Sequence, residues 1–122
     1  MLEIPHLYHL AVAAEWDPAS TADYTTSTLG RSLAEEGFIH LSLARQVEGV
    51  ARAFYADHDV VLLEVDPAKV TARVEFEQAP DMDDAFPHLY GPIPRAAIVA
   101  ATPVPRDSGG ALDFAGLLPD PI

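Results

Sequence analysis

Cysteine is absent from the 122-residue chain, and Lys69 is the only lysine beside six arginines. The first absence excludes disulfides, thiolate metal ligands and a cysteine nucleophile, and it leaves the compartment open. The second leaves no basic stripe. With 7 basic against 19 acidic side chains and a formal charge of −12, nothing can neutralise phosphates along a duplex, so nucleic acid is not an expected partner. An anionic membrane surface is disfavoured on the same ground. A small anionic ligand stays open, because one arginine and a helix N-terminus suffice to hold a phosphate. The N-terminal MLEIPHLYHL has no basic n-region and no long apolar run, which predicts neither a signal peptide nor a membrane span. A soluble, cytoplasmic protein is the expectation. No G-x-S-x-G motif is present to suggest a serine hydrolase.

What is there is globular: 49% hydrophobic and 21% charged residues, in a length that suits one core. HLYHLAVAA, residues 6–14, is an apolar run of strand length, apolar on both faces after His9, as a central strand would be. SLAEEGF, residues 32–38, predicts a short helix with Ser32 at the cap, Glu35 three residues on and Gly37 past the end. IHLS, residues 39–42, predicts a brief strand leading into a second helix. There Ser42 is the expected N-cap, and Val47, Val50, Ala51 and Phe54 form the apolar stripe opposite Arg45, Gln46, Glu48 and Arg52. VVLLEV, residues 60–65, is a buried strand, and VTARVEF, residues 70–76, is its expected antiparallel neighbour across a PAKV turn. DMDD, residues 81–84, predicts a solvated acidic loop, and AAIVAATPV, residues 96–104, a last strand.

FPHLYGPIP, residues 86–94, carries three prolines, each without a backbone donor, which predicts a stiff extended edge or loop rather than a central ladder. Together these elements predict an α+β fold: a single domain over residues 1–104 with a mixed, mostly antiparallel sheet and two or three short helices. Residues 105–122, with Gly-Gly and three prolines, form a C-terminal tail that wraps the surface or is disordered.

Of five histidines, His9, His40 and His88 stand inside apolar runs, whereas His6 and His58 have polar or terminal surroundings. A buried imidazole needs hydrogen-bond partners that an aliphatic side chain does not, so three of them suggest a shared cleft. The same three with a carboxylate could hold zinc, but no H-x-x-x-H or H-E-x-x-H spacing supports a site, and no metal ligands are assigned. Glu75 and Glu77 would share a strand face, either as a catalytic pair or as plain surface alternation.

YHLA, SLAEEGFIHLS, QVEGVARAFY, LLEVD, FEQ and FPHLYGPI together resemble the bacterial family known as domain of unknown function 952, over about residues 7–100. The family has no established activity, and its fold is similar to that of ADP-ribosyltransferases and RNA 2′-phosphotransferases. The resemblance implies a cleft for NAD or an ADP-ribose-like nucleotide, with Glu77 and His40 in catalytic positions. Ligand-binding positions would be His9 (to a ribose hydroxyl), Arg31, Ser32, Ser42, His88 and Tyr90. NAD is the implied cofactor, and the partner is a small nucleotide or metabolite. Leu10-Ala11 depart from the Gly-Thr of the phosphotransferases, and no arginine run exists to hold an RNA phosphate. The alternatives are a binding module without turnover and a histidine-based metal protein; the oligomeric state stays open.

Overall fold

The computed structural model describes residues 6–29, 31–78 and 83–119. Every strand pairing among them is antiparallel, where the sequence predicts a mixed, mostly antiparallel sheet; no parallel pair is found among the described residues. The first sheet holds β1 (Leu7–Val12), β5 (Val60–Val65) and β8 (Ile98–Pro103), with β5 in the middle. The third holds β4 (Ile39–His40), β7 (Ala85–Leu89) and β6 (Val74–Gln78), with β7 in the middle. Between them in sequence lies a small pair, β2 (Thr26–Thr28) and β3 (Arg31–Ser32). The helices are α1 (Leu33–Glu36) and α2 (Ala44–Phe54). No helix among the described residues is long and apolar enough to cross a membrane.

The alternation of β1 and β5 explains why both of their faces are apolar. Leu7, Ala11, Val61, Leu63 and Val65 pack into one core cluster with Ile39, Leu41, Leu89 and Ile93. Tyr8, Leu10, Val60 and Leu62 pack into a second with Val47, Val50, Ala51, Phe86 and Phe114. A strand whose successive side chains enter two different cores reads as a continuous hydrophobic run. β1 is joined to the third sheet by one bridge: the Tyr8 and Ser42 amides each donate to the other residue's carbonyl, at 2.8 and 2.7 Å.

Five expectations about local structure are corrected. VTARVEF does not pair with β5, whose edges are occupied by β1 and β8; β6 pairs with β7 instead. Pro87 lies inside a central strand. Residues of an antiparallel strand turn N–H and C=O to the same side, and the Pro87 carbonyl accepts from the Leu41 amide at 2.9 Å. The donor it lacks therefore faces the short β4 strand, where the chain is already leaving to meet Tyr8. Ser42 does not cap α2: Leu43 does, its amide donating to Gln46 Oε1 at 2.9 Å, while the Gln46 amide donates to the Leu43 carbonyl at 2.9 Å.

Gln46 is accordingly buried and not on the polar side, because its side-chain nitrogen also donates to Asp84 Oδ2 and to the Ala85 carbonyl, each at 2.9 Å. Phe54 leaves the apolar stripe and is 51% exposed. The first helix follows its sequence closely. Ser32 Oγ accepts from the Glu35 amide, Glu35 returns the bond to the Ser32 amide, and Gly37 takes the left-handed conformation at φ 86°. Residues 81 and 82 of the acidic loop lie outside the described residues. Beyond β8 the chain folds back: Arg106 donates to the Ala56, His58 and Gly110 carbonyls, and Phe114 is buried in the second core cluster.

Candidate functional site

Two short motifs, GFIHLS and FPHLY, build the site through strand alternation. Phe38 and His40 are two residues apart, as are His88 and Tyr90, so each pair projects from one side of its strand. The register places His40 directly opposite His88, and Glu75 opposite His88 on the other neighbour, with Glu77 two residues further along. Phe38, His40, His88, Tyr90 and Glu77 consequently meet on one face of the β4–β7–β6 sheet. α2 and its end contribute Val50, Phe54 and Tyr55, β2 contributes Ser27 and Thr28, and Glu36 stands at the rim. Together with Gln78 these residues line a cleft of about 420 Å³. This is within the usual size of a small-molecule site.

Contacts inside the cleft fix its charged and aromatic groups. Phe38 stacks on His88 with centroids 4.1 Å apart and 14° between the planes. His88 Nδ1 donates to Glu77 Oε1 at 2.9 Å, and the Tyr90 hydroxyl donates to the same oxygen. Those two donors, Tyr90 first, hold the Glu77 carboxyl below its ordinary pKa, and the bond pushes the Tyr90 phenol up. Glu77 is therefore a carboxylate. Phe76, between the two glutamates, faces the other way and is 56% exposed, so it is the apolar residue of EFE that meets solvent. Glu75 points to Arg73 at 3.4 Å, and Arg73 lies over the Tyr90 ring, 4.3 Å from its centroid.

His40 is held neutral. Burial, with His88 and His9 adding to it, lowers its pKa to about 4. Its Nε2 is buried without a hydrogen-bond partner, as is Oγ of Ser27, which has no exposed surface. Two partnerless polar atoms among the lining residues are expensive in a protein interior and suit contact with a ligand.

A family model described as protein of unknown function (DUF952) matches residues 10–101. The chain belongs to that family. The DUF952 match runs from β1 into β8 and contains every residue that lines the cleft. The crystal structure of protein CC0527 from Caulobacter crescentus is similar at a TM-score of 0.74 and 25% identity, covering 90% of this chain and 95% of that one. The solution NMR structure of the same protein gives 0.70 and 25%, covering 93% and 96%. A search of curated proteins finds no match.

The cleft brings together His40, Glu77, His88 and Tyr90 of the residues singled out in the sequence. His9 lies behind it, 3% exposed: Nδ1 donates to the His40 carbonyl at 2.7 Å, and Nε2 accepts from the Tyr24 hydroxyl at 3.1 Å. Burial lowers its pKa to about 4, so it is a neutral core histidine and not a cleft residue. Ser42 is buried in the bridge to Tyr8, and Ser32 Oγ is engaged as a helix cap; neither lines the cleft. Arg31 reaches the rim only through Glu36, donating to it at 2.8 Å. With both His9 nitrogens engaged, the three-histidine metal idea loses its first ligand, and no three histidine or acidic residues among those described could hold an ion. Ser27, Thr28 and Tyr55 escaped the sequence reading as site residues, and that reading places Phe54 on the apolar stripe of α2 instead. Only the polar run ending at Thr28 and the aromatic end of α2 hinted at them.

Proposed function

We propose that the cleft binds NAD or an ADP-ribose-like nucleotide, and that it acts on the bond between the ring and the ribose as a hydrolase or transferase. The observation that carries this reading is the Glu77 carboxylate, oriented by Tyr90 and His88 beside an aromatic wall and still 44% exposed. The similarity to ADP-ribosyltransferases supplies the expectation that such a glutamate faces the sugar. In that reaction the C1′–N bond breaks with its electron pair going to the pyridinium nitrogen, which leaves as neutral nicotinamide without needing an acid. Positive charge develops at the ribosyl carbon, and a fixed carboxylate stabilises it. Water or an acceptor hydroxyl, hydrogen-bonded to neutral His40, then adds to C1′ and gives up one proton, which passes to bulk water.

A second reading is a binding module without turnover. It is favoured by the His40 pKa of about 4, which makes that imidazole a weak base near neutral pH. Both readings meet one experiment. NAD and ADP-ribose are titrated against thermal unfolding, where a ligand at about 100 times its Kd stabilises by about 2.7 kcal/mol. Nicotinamide release is then measured for wild type and Glu77→Gln. A melting shift with release by wild type alone supports the enzyme. A shift without release supports the module, and no shift with either nucleotide refutes both.

A further inference from the structure

The cleft is acidic where a pyrophosphate would need cations. Glu36 and Glu77 line it, and no lysine or arginine is among the described lining residues. Arg31 and Arg73, which contact the lining residues Glu36 and Tyr90, are already engaged with carboxylates, Arg31 with Glu36 and Arg73 with Glu75. Around this charge stand four aromatic side chains, Phe38, Phe54, Tyr55 and Tyr90, and Tyr90 already carries a guanidinium on its ring. Aromatic faces attract cations and planar groups far better than they attract phosphates. Independently of the carboxylates, Ser27 Oγ and His40 Nε2 are buried in the same wall without partners.

We propose that the interior of this cleft is a subsite for a planar aromatic cation bearing an amide-like group. The ring stacks against the aromatic wall, its charge faces Glu77, and its donor and acceptor atoms meet Ser27 and His40. Any phosphates on the ligand stay outside. The inference rests on the nucleotide reading above only in the choice of probes, because the pyridinium end of NAD is such a cation. It differs from that reading in assigning recognition to ring charge.

The test uses the full chain and phosphate-free probes in calorimetric titration: 1-methylnicotinamide (cationic), nicotinamide (neutral) and nicotinate (anionic), with ADP-ribose as a separate arm. The cation is expected to bind at least about tenfold more tightly than the neutral amide, and the anion weakest. Glu77→Gln is expected to erase that preference. Ser27→Ala is expected to weaken the cation about tenfold while leaving the melting temperature unchanged or raised, since it deletes a partnerless hydroxyl. Binding of ADP-ribose without binding of 1-methylnicotinamide overturns the cation subsite and leaves the nucleotide reading standing. Binding of the cation without ADP-ribose or NAD does the reverse. Equal affinity for cation and neutral amide, or an unchanged Ser27→Ala, also overturns it.

Discussion

His9 makes the fold sensitive to mild acid. Its folded-state pKa of about 4 lies below the unfolded value of 6.5, so the unfolded chain binds the extra proton first. The stability this neutral histidine supports is fully present above the unfolded pKa. It is lost as pH falls from there toward the folded pKa. The gap is worth about 3 kcal/mol in all, of which about 2 kcal/mol disappears between about pH 7 and about pH 5. His40 is shifted in the same direction and adds to the slope. Glu77 and Asp84 are also shifted down, Asp84 to about 2, but from carboxylate values, so their contributions are lost only at lower pH and leave this window clear.

The variant that isolates the effect is His9→Gln. Its amide can donate to the His40 carbonyl and accept from Tyr24, the two bonds His9 makes, yet it does not titrate. Urea unfolding of both proteins across the window is the assay. Wild type is expected to lose about 2 kcal/mol more than His9→Gln, seen also as a melting shift of roughly 8 °C. Parallel pH profiles for the two proteins would refute the assignment of the acid sensitivity to this ring.

Gly91→Ala would put a methyl 2.5 Å from Cβ of Ala72, where the Tyr90 amide donates to the Arg73 carbonyl. It is expected to destabilise by about 1–3 kcal/mol in denaturant unfolding and to disturb the Tyr90–Glu77 contact, seen as a raised Glu77 pKa by NMR titration. Leu63→Ala, at a fully buried position in the middle strand of the first sheet, is expected to cost about 2–5 kcal/mol without changing ligand affinity in the cleft.

Where the sequence carried a local rule, it was legible. The Ser32–Glu35–Gly37 helix, the VVLLEV strand and the helix from Ala44 onward follow from caps, apolar runs and periodicity. The errors came from choices that nothing local specifies. VTARVEF follows VVLLEV closely enough to suggest a hairpin, but the doubly buried β5 takes two apolar neighbours. The charged β6 strand suits the solvated edge of the other sheet.

Three apolar-context histidines looked alike as letters. The cross-strand register decides that His40 and His88 face each other while His9 turns into a core and spends its nitrogens on a carbonyl and a phenol. Phe54 looked like core because the stripe spacing reaches it. Its exposure follows from the chain leaving the helix beside an open cleft.

The central place of β5 also dictates the order in which this chain can fold during synthesis. Its partner β1 emerges from the ribosome first but has no edge to join until residues 60–65 follow. The opposite edge of β5 stays bare until residues 98–103 appear, and Phe114 seals the core behind them later still. A nascent chain halted before β8 would carry an uncovered, strongly apolar strand edge, the kind of surface that templates association with other chains. Sheet completion is thus a late event that waits for β8, and chaperone engagement should be greatest for chains stalled just before it.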